Sequence, residues 1–153
     1  MDEKAKKILS GLEAQCSKRE YCYADMMTKA VKALDGDSET ASEIVDSLVS
    51  DRFVDDGRYA AAYAREKASI TGWGPVKIRY MLSRRGISKE HIDAALAETD
   101  SDGADTRLEK TLAAKWRTLE GDPQAKFKLI RFALSRGYEY DSVRQAVDRI
   151  CHG

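Results

Sequence analysis

The chain has 153 residues, 34% of them charged, and its 26 Lys/Arg balance 26 Asp/Glu, so the net charge is zero. That length supports one ordinary core or a short array of small modules, and no apolar run approaches the roughly 18 residues that span a bilayer. Cys16, Cys22 and Cys151 are odd in number and lack paired spacing, which argues against a disulfide framework or a zinc site.

Helix signals dominate from the first residues. Met1-Asp2-Glu3-Lys4 is acidic and lacks an apolar signal-peptide core, which points to the cytoplasm. A helix is expected through Ala5–Ala14. Ala24 to Leu34 carries Met27, Ala30, Val31 and Leu34 at helical spacing and stops at Gly36. From about Ser38, Ala41, Ile44, Val45 and Leu48 form the next inward face. The segment Tyr59–Ile70 reads as a helix with Tyr59, Tyr63 and Ile70 inward. Gly74-Pro75 opens another, because proline at the first helical position loses no needed N–H. There Ile78, Met81, Leu82 and Arg85 share one face, and Gly86 closes the helix in the left-handed conformation. Ser88 can cap the following helix, which buries Ile92, Ala95 and Leu96. Asp100-Ser101-Asp102-Gly103 is the clearest linker. Beyond it, Leu108–Leu119 turns Leu112 and Trp116 inward. Asp122-Pro123 then starts a helix packed through Leu129, Phe132 and Ala133, which Gly137 ends. Val143, Ala146 and Val147 complete the last face. No segment alternates as a strand.

The chain repeats itself. Lys77-Ile78-Arg79-Tyr80-Met81-Leu82-Ser83-Arg84-Arg85-Gly86-Ile87 returns as Lys128-Leu129-Ile130-Arg131-Phe132-Ala133-Leu134-Ser135-Arg136-Gly137-Tyr138, offset by 51. A fixed period of this size means one supersecondary unit used again. The expectation is an all-α fold of three tandem three-helix repeats over residues 1–54, 55–99 and 104–153, the first being the most divergent.

Charge is uneven along these repeats. Residues 1–57 hold 8 Lys/Arg against 13 Asp/Glu, residues 58–99 hold 8 against 4, and residues 100–153 hold 10 against 9. Lys77, Tyr80 and Arg84 fall on one stripe at i, i+3 and i+7, away from the Ile78/Met81/Leu82 face. Lys128, Arg131 and Ser135 repeat it. Together with Arg65, Lys67 and Arg79, these residues form the candidate contact surface. Catalysis finds little support. His91 and His152 have no metal spacing, and Asp55-Asp56 reads as a helix cap, where carboxylates satisfy free N–H groups. Gly72-Trp73-Gly74 lacks the strand and third glycine of a dinucleotide loop and reads as a turn into Pro75. No cofactor or metal is expected.

Asp55-Asp56-Gly57-Arg58-Tyr59-Ala60, Tyr63-Ala64-Arg65, Gly72-Trp73-Gly74-Pro75 and Arg85-Gly86-Ile87 resemble the central motif of the RecX regulators of recombinase RecA. The match extends back to Lys18-Arg19-Glu20-Tyr21 and forward to Leu134-Ser135-Arg136-Gly137-Tyr138. It departs at Cys22, where the family commonly has a capping serine, and at Asp25-Met26, commonly Glu-Leu. The resemblance implies an elongated, curved array that binds in the groove of the RecA–DNA filament. It further implies suppression of strand exchange, ATP hydrolysis and coprotease activity, and so a place in DNA repair and the SOS response. The chain is then a monomeric, non-enzymatic modulator with a possible subsidiary DNA contact and no membrane partner. The residues themselves leave two rivals open: a DNA-binding helix-turn-helix array, with the Pro75–Arg85 helix reading a groove, and a helical scaffold for another protein.

Overall fold

The computed structural model describes residues 1–101 and 103–152. Nine α-helices occupy them: α1 Glu3–Cys16, α2 Tyr23–Ala33, α3 Ser38–Ser50, α4 Asp56–Glu66, α5 Pro75–Arg84, α6 Lys89–Ser101, α7 Ala104–Thr118, α8 Ala125–Ser135 and α9 Tyr140–His152. A π-helical segment, Lys67–Thr71, continues α4. Among the described residues there is no strand, and no helix is long and apolar enough to cross a membrane. The chain divides into two compact units, residues 1–62 with 82–92, and residues 63–81 with 93–153. The divisions fall inside α4, α5 and α6.

In the first unit, α1, α2 and α3 close around Leu12, Met26, Ala30, Ile44, Val45 and Leu48. Two of these helices begin where an aspartate can take up free N–H groups. Asp2 accepts from the amide of Ala5 at 2.8 Å, and Asp37 accepts from the amide of Thr40 at 3.1 Å. Asp35 and Gly36 both adopt positive φ, 53° and 96°, and end the turn between α2 and α3. The fully buried methionine is Met26. Met27, Val31 and Leu34 pack around that core only in part.

In the second unit, α7, α8 and α9 bury Leu108, Leu112, Leu129, Ala133, Val143 and Val147, with Trp116 half-buried against them. Helix α8 starts at Ala125, two residues after Pro123. Asp122 explains the delay: its carboxylate accepts from the Gln124 amide at 2.8 Å, and its carbonyl from the Ala125 amide at 3.1 Å. The Asp-Pro pair is therefore a turn ahead of the helix. Asp102 of the expected linker lies outside the described residues. Helix α6 runs through Ser101, and Gly103 (φ 95°) precedes α7.

The period seen in the sequence is a period of structure. Helices α6 and α9 span 89–101 and 140–152, displaced by 51 at both ends, and α5 and α8 end at 84 and 135. Gly86 and Gly137 close those helices at φ 75° and 91°. The amides of Ile87 and Tyr138 reach back to the carbonyls of Leu82 and Ala133 at 3.2 and 3.3 Å, a Schellman-type ending. The fold is an all-α helical repeat.

The inward expectation for Ile70 fails. Ile70 is 81% exposed. The π-helical segment inserts an extra residue into the turn after α4, which rotates the residues beyond it by a fraction of a turn. Ala68 is buried in its place.

Candidate partner-binding surface

The most motif-like residues turn out to be joinery. Asp55 accepts from the Arg58 amide at 2.9 Å and caps its own helix, α4. That bond holds the Asp55 carboxyl below the usual carboxylate range. Asp56 reaches instead to the start of α2, accepting from the Tyr23 amide at 2.8 Å. Cys22, the N-cap of α2, makes no side-chain cap bond of its own. Gly57 lies against His91: a Cβ there would be 2.9 Å from Nδ1 of that exposed ring, which would have to move aside. Arg58 ion-pairs with Glu20 and donates to the carbonyls of Arg52 and Phe53 at 3.1 and 3.3 Å, tying down the end of α3. The charged members of the Asp-Asp-Gly-Arg motif are thus engaged in holding helix ends. The pair Asp55-Asp56 acts as two caps, one local and one distant.

Gly72-Trp73-Gly74-Pro75 is a corner in the second unit. Gly72 needs its positive φ of 78°, whereas Gly74 is needed for close approach. The Gly74 amide donates to the Arg136 carbonyl at 2.7 Å, and the Val76 amide to Gly137 at 2.8 Å. A Cβ on Gly74 would lie 2.5 Å from the Gly137 carbonyl oxygen. From the other side, Arg136 donates to the Thr71 carbonyl and the Tyr138 hydroxyl to that of Gly72, both at 3.3 Å. Burial pushes the Tyr138 phenol up, so it remains a donor.

This corner presents Trp73. Its ring meets Tyr63 edge-on at 6.4 Å, and two ammonium groups converge on it, Lys67 at 5.0 Å and Lys77 at 4.4 Å. Lys67 also stands 5.5 Å over Tyr63. Each such contact is worth about 0.5–1 kcal/mol at an exposed site, enough to hold two lysines beside a flat ring and too little to neutralise them. The result is a preorganised cationic platform with an aromatic floor. Tyr80, 59% exposed, follows Lys77 on α5. Arg84, also exposed, lies in the first unit.

The remaining expected contact residues fall into two kinds. Arg65 and Arg79 are tied in ion pairs with Glu98 at 3.1 Å and Asp93 at 2.6 Å. Lys77 is only half exposed, and its backbone and Cβ are where a side chain on Gly137 would collide, so it is part packing and part surface. On α8, Lys128 pairs with Asp122 at 2.6 Å, and Arg131 stands 5.7 Å over the exposed ring of Phe127. Lys128 and Arg131 also line a shallow groove of about 320 Å³ with Lys115 and Phe132. Phe132, expected in the core, is half-buried there, with Lys115 at 5.1 Å and Arg136 at 5.0 Å over its ring.

Sequence reasoning missed Trp73, Lys115 and Phe132 as surface elements. The signal for Trp73 was its place between two glycines one turn from Lys77, which marks a partly exposed aromatic on a tight corner. Lys115 carried no signal, since its partner Phe132 is 17 positions away.

Residues 55–96 match the family description RecX, second three-helix domain, and residues 104–147 match RecX, third three-helix domain. Similar proteins include Regulatory protein RecX of Clostridium tetani, 28% identical over 76% of this chain and 55% of that protein. That of Chromohalobacter salexigens is 29% identical over 86% and 84%, and that of Shewanella oneidensis 30% identical over 69% and 93%. The chain spans about half the length of the clostridial relatives. A crystal structure of regulatory protein RecX superposes with a TM-score of 0.84 at 23% identity, covering 95% of this chain and 72% of that one. RecX from Lactobacillus salivarius gives 0.83 at 17% identity, covering 100% of both chains. At those identities the likeness establishes the fold.

Proposed function

This chain belongs to the RecX family of regulatory proteins, and on that premise we propose that it binds the RecA–DNA filament and inhibits RecA recombinase, ATPase and coprotease activity. The observation that carries the reading is the platform of Lys67, Lys77 and Trp73, with Tyr80 beside it on α5. Its lysines are held in place before any partner arrives, so little side-chain entropy is lost on contact. A filament of RecA on DNA offers phosphates and acidic side chains at regular intervals, and a chain of repeats 1–54, 55–99 and 104–153 can engage several at once. Multiple weak contacts then gain affinity through effective concentration. The action is steric and electrostatic, by occupancy of the partner's groove, in the bacterial cytoplasm where SOS and DNA repair operate.

Arg65, Lys67, Lys77, Arg79, Tyr80 and Arg84 form the main contact set in this reading, with Lys128 and Arg131 as a second patch. The test is ATP hydrolysis by RecA on single-stranded DNA, with and without the chain. Lys67→Glu combined with Tyr80→Ser should lower the melting temperature by only a few degrees, the loss of the Lys67 ring contacts, and weaken inhibition about tenfold. Undiminished inhibition would move the working surface to α8.

The groove of Lys115, Lys128, Arg131 and Phe132 favours a second reading, a direct contact to nucleic acid, because cations around an aromatic ring suit phosphates and bases. Affinity for naked single-stranded DNA that falls steeply with salt, and falls further in Lys115→Glu, is the outcome that reading requires.

A further inference from the structure

The second unit also contains a cleft of opposite electrical character. A depression of about 540 Å³ opens between the start of α5, the outer face of α6 and the first turn of α9. Its floor is apolar, built from Leu96, Leu108 and the ring of Tyr138. Leu96, Leu108 and Tyr138 are all more than nine-tenths buried, whereas Val76 is 49% exposed and stands up as one wall.

The rim carries four charges. Arg79 and Asp93 face each other at 2.6 Å and cancel. Asp100 and Glu139 remain, and no described cation is paired with either. The rim of the cleft therefore carries a net negative charge.

An apolar floor with carboxylates at the lip matches one kind of occupant. A lysine or arginine side chain has an apolar stem three or four carbons long and a charged end, and buries the first while keeping the second near water or a counter-charge. Small neutral ligands would leave both carboxylates unanswered, and acidic segments would be repelled by them. We propose that this cleft receives a basic side chain, flanked by an apolar residue, from an exposed segment of a partner protein. The stem lies over Leu96, Leu108 and Val76, and the cationic end meets Asp100 and Glu139. This inference is independent of the platform around Trp73 and concerns a different sign of charge.

The test uses the whole chain, isotope-labelled, titrated with the capped peptide Gly-Leu-Arg-Leu-Gly and, as control, Gly-Leu-Glu-Leu-Gly. The arginine peptide should shift the amide signals of Val76, Ala97, Glu139 and Ser142 in the millimolar range. The glutamate peptide should leave them unmoved. Asp100→Asn with Glu139→Gln should weaken the arginine peptide about fivefold, as expected for two exposed charge contacts, with the melting temperature unchanged. No shifts with either peptide, equal shifts with both, shifts centred elsewhere, or undiminished binding by the double variant would each overturn the assignment. Both substituted residues are exposed, so their neutralisation tests recognition without disturbing the fold.

Discussion

The turns after α5 and α8 are built from matching residues in matching backbone geometry, yet they carry very different loads. Each places an arginine carbonyl against the start of an earlier helix. In the first unit Arg85 offers its carbonyl to the Cys22 thiol at 3.8 Å, and a Cβ on Gly86 would meet nothing nearer than Ala24 Cβ at 3.8 Å. In the second unit Arg136 takes the Gly74 amide at 2.7 Å, Gly137 takes Val76 at 2.8 Å, and a Cβ on Gly137 would lie 2.2 Å from that of Lys77. The first joint is a weak sulfur contact with room to spare, the second a pair of backbone hydrogen bonds, Gly74 to Arg136 and Val76 to Gly137, made at close approach. A repeat therefore conserves the shape of a turn without conserving what the turn holds.

The largest effect should separate the two glycines. Gly137→Ala is expected to cost about 3 kcal/mol or more, adding overpacking against Lys77 to the left-handed penalty. Gly86→Ala should cost only about 1 kcal/mol. Equal losses in urea unfolding would abolish the distinction. Gly74→Ala should be nearly as harmful as Gly137→Ala, and the double variant should lose less than the sum, since both strain one contact.

Next comes the loose joint, where α2 borrows its cap. Asp56→Ala should cost about 1–2 kcal/mol and unprotect the Tyr23 amide in hydrogen exchange, because Cys22 makes no side-chain cap bond. Fast exchange confined to α4 would mean that Asp56 serves only its own helix. A smaller effect is expected from acid. The Asp55 carboxyl is held below its ordinary range by the Arg58 amide. Its stabilising contribution is complete above the ordinary carboxylate value and disappears as pH falls through the lowered one. Asp55→Asn should flatten that acid limb while leaving neutral-pH stability little changed. Smallest of all, Ile70→Ser should alter stability by less than about 0.5 kcal/mol, since the side chain is 81% exposed.

Much of the fold was legible because it is local. Gly86 and Gly137 announce the helix ends, Ser88 stands where a cap belongs, and the period of 51 recurs in α6 and α9. The tight joint was not legible, because Gly74 and Gly137 are 63 residues apart and nothing in either neighbourhood names the other. The need for glycine at position 74 looks like a demand for positive φ until the facing carbonyl is seen. The surface was legible in part. Charge balance pointed to residues 58–99, but which cations stand on rings and which are spent on ion pairs depends on rotamers. Arg65 and Arg79 find Glu98 and Asp93, 33 and 14 positions away.

The π-helical segment after α4 sets the phase of everything that leaves it. With one residue fewer, that stretch would close as ordinary α-helix, and each later side chain would step back by about 100° around the axis. The amide of Trp73, which now reaches across the widened turn to Lys67 at 2.8 Å, would find a different carbonyl. The indole on which two lysines stand would face another direction. A single inserted residue, worth nothing to the core, is in this sense an aiming device. Deleting Ser69 would keep the composition of the surface and lose its bearing.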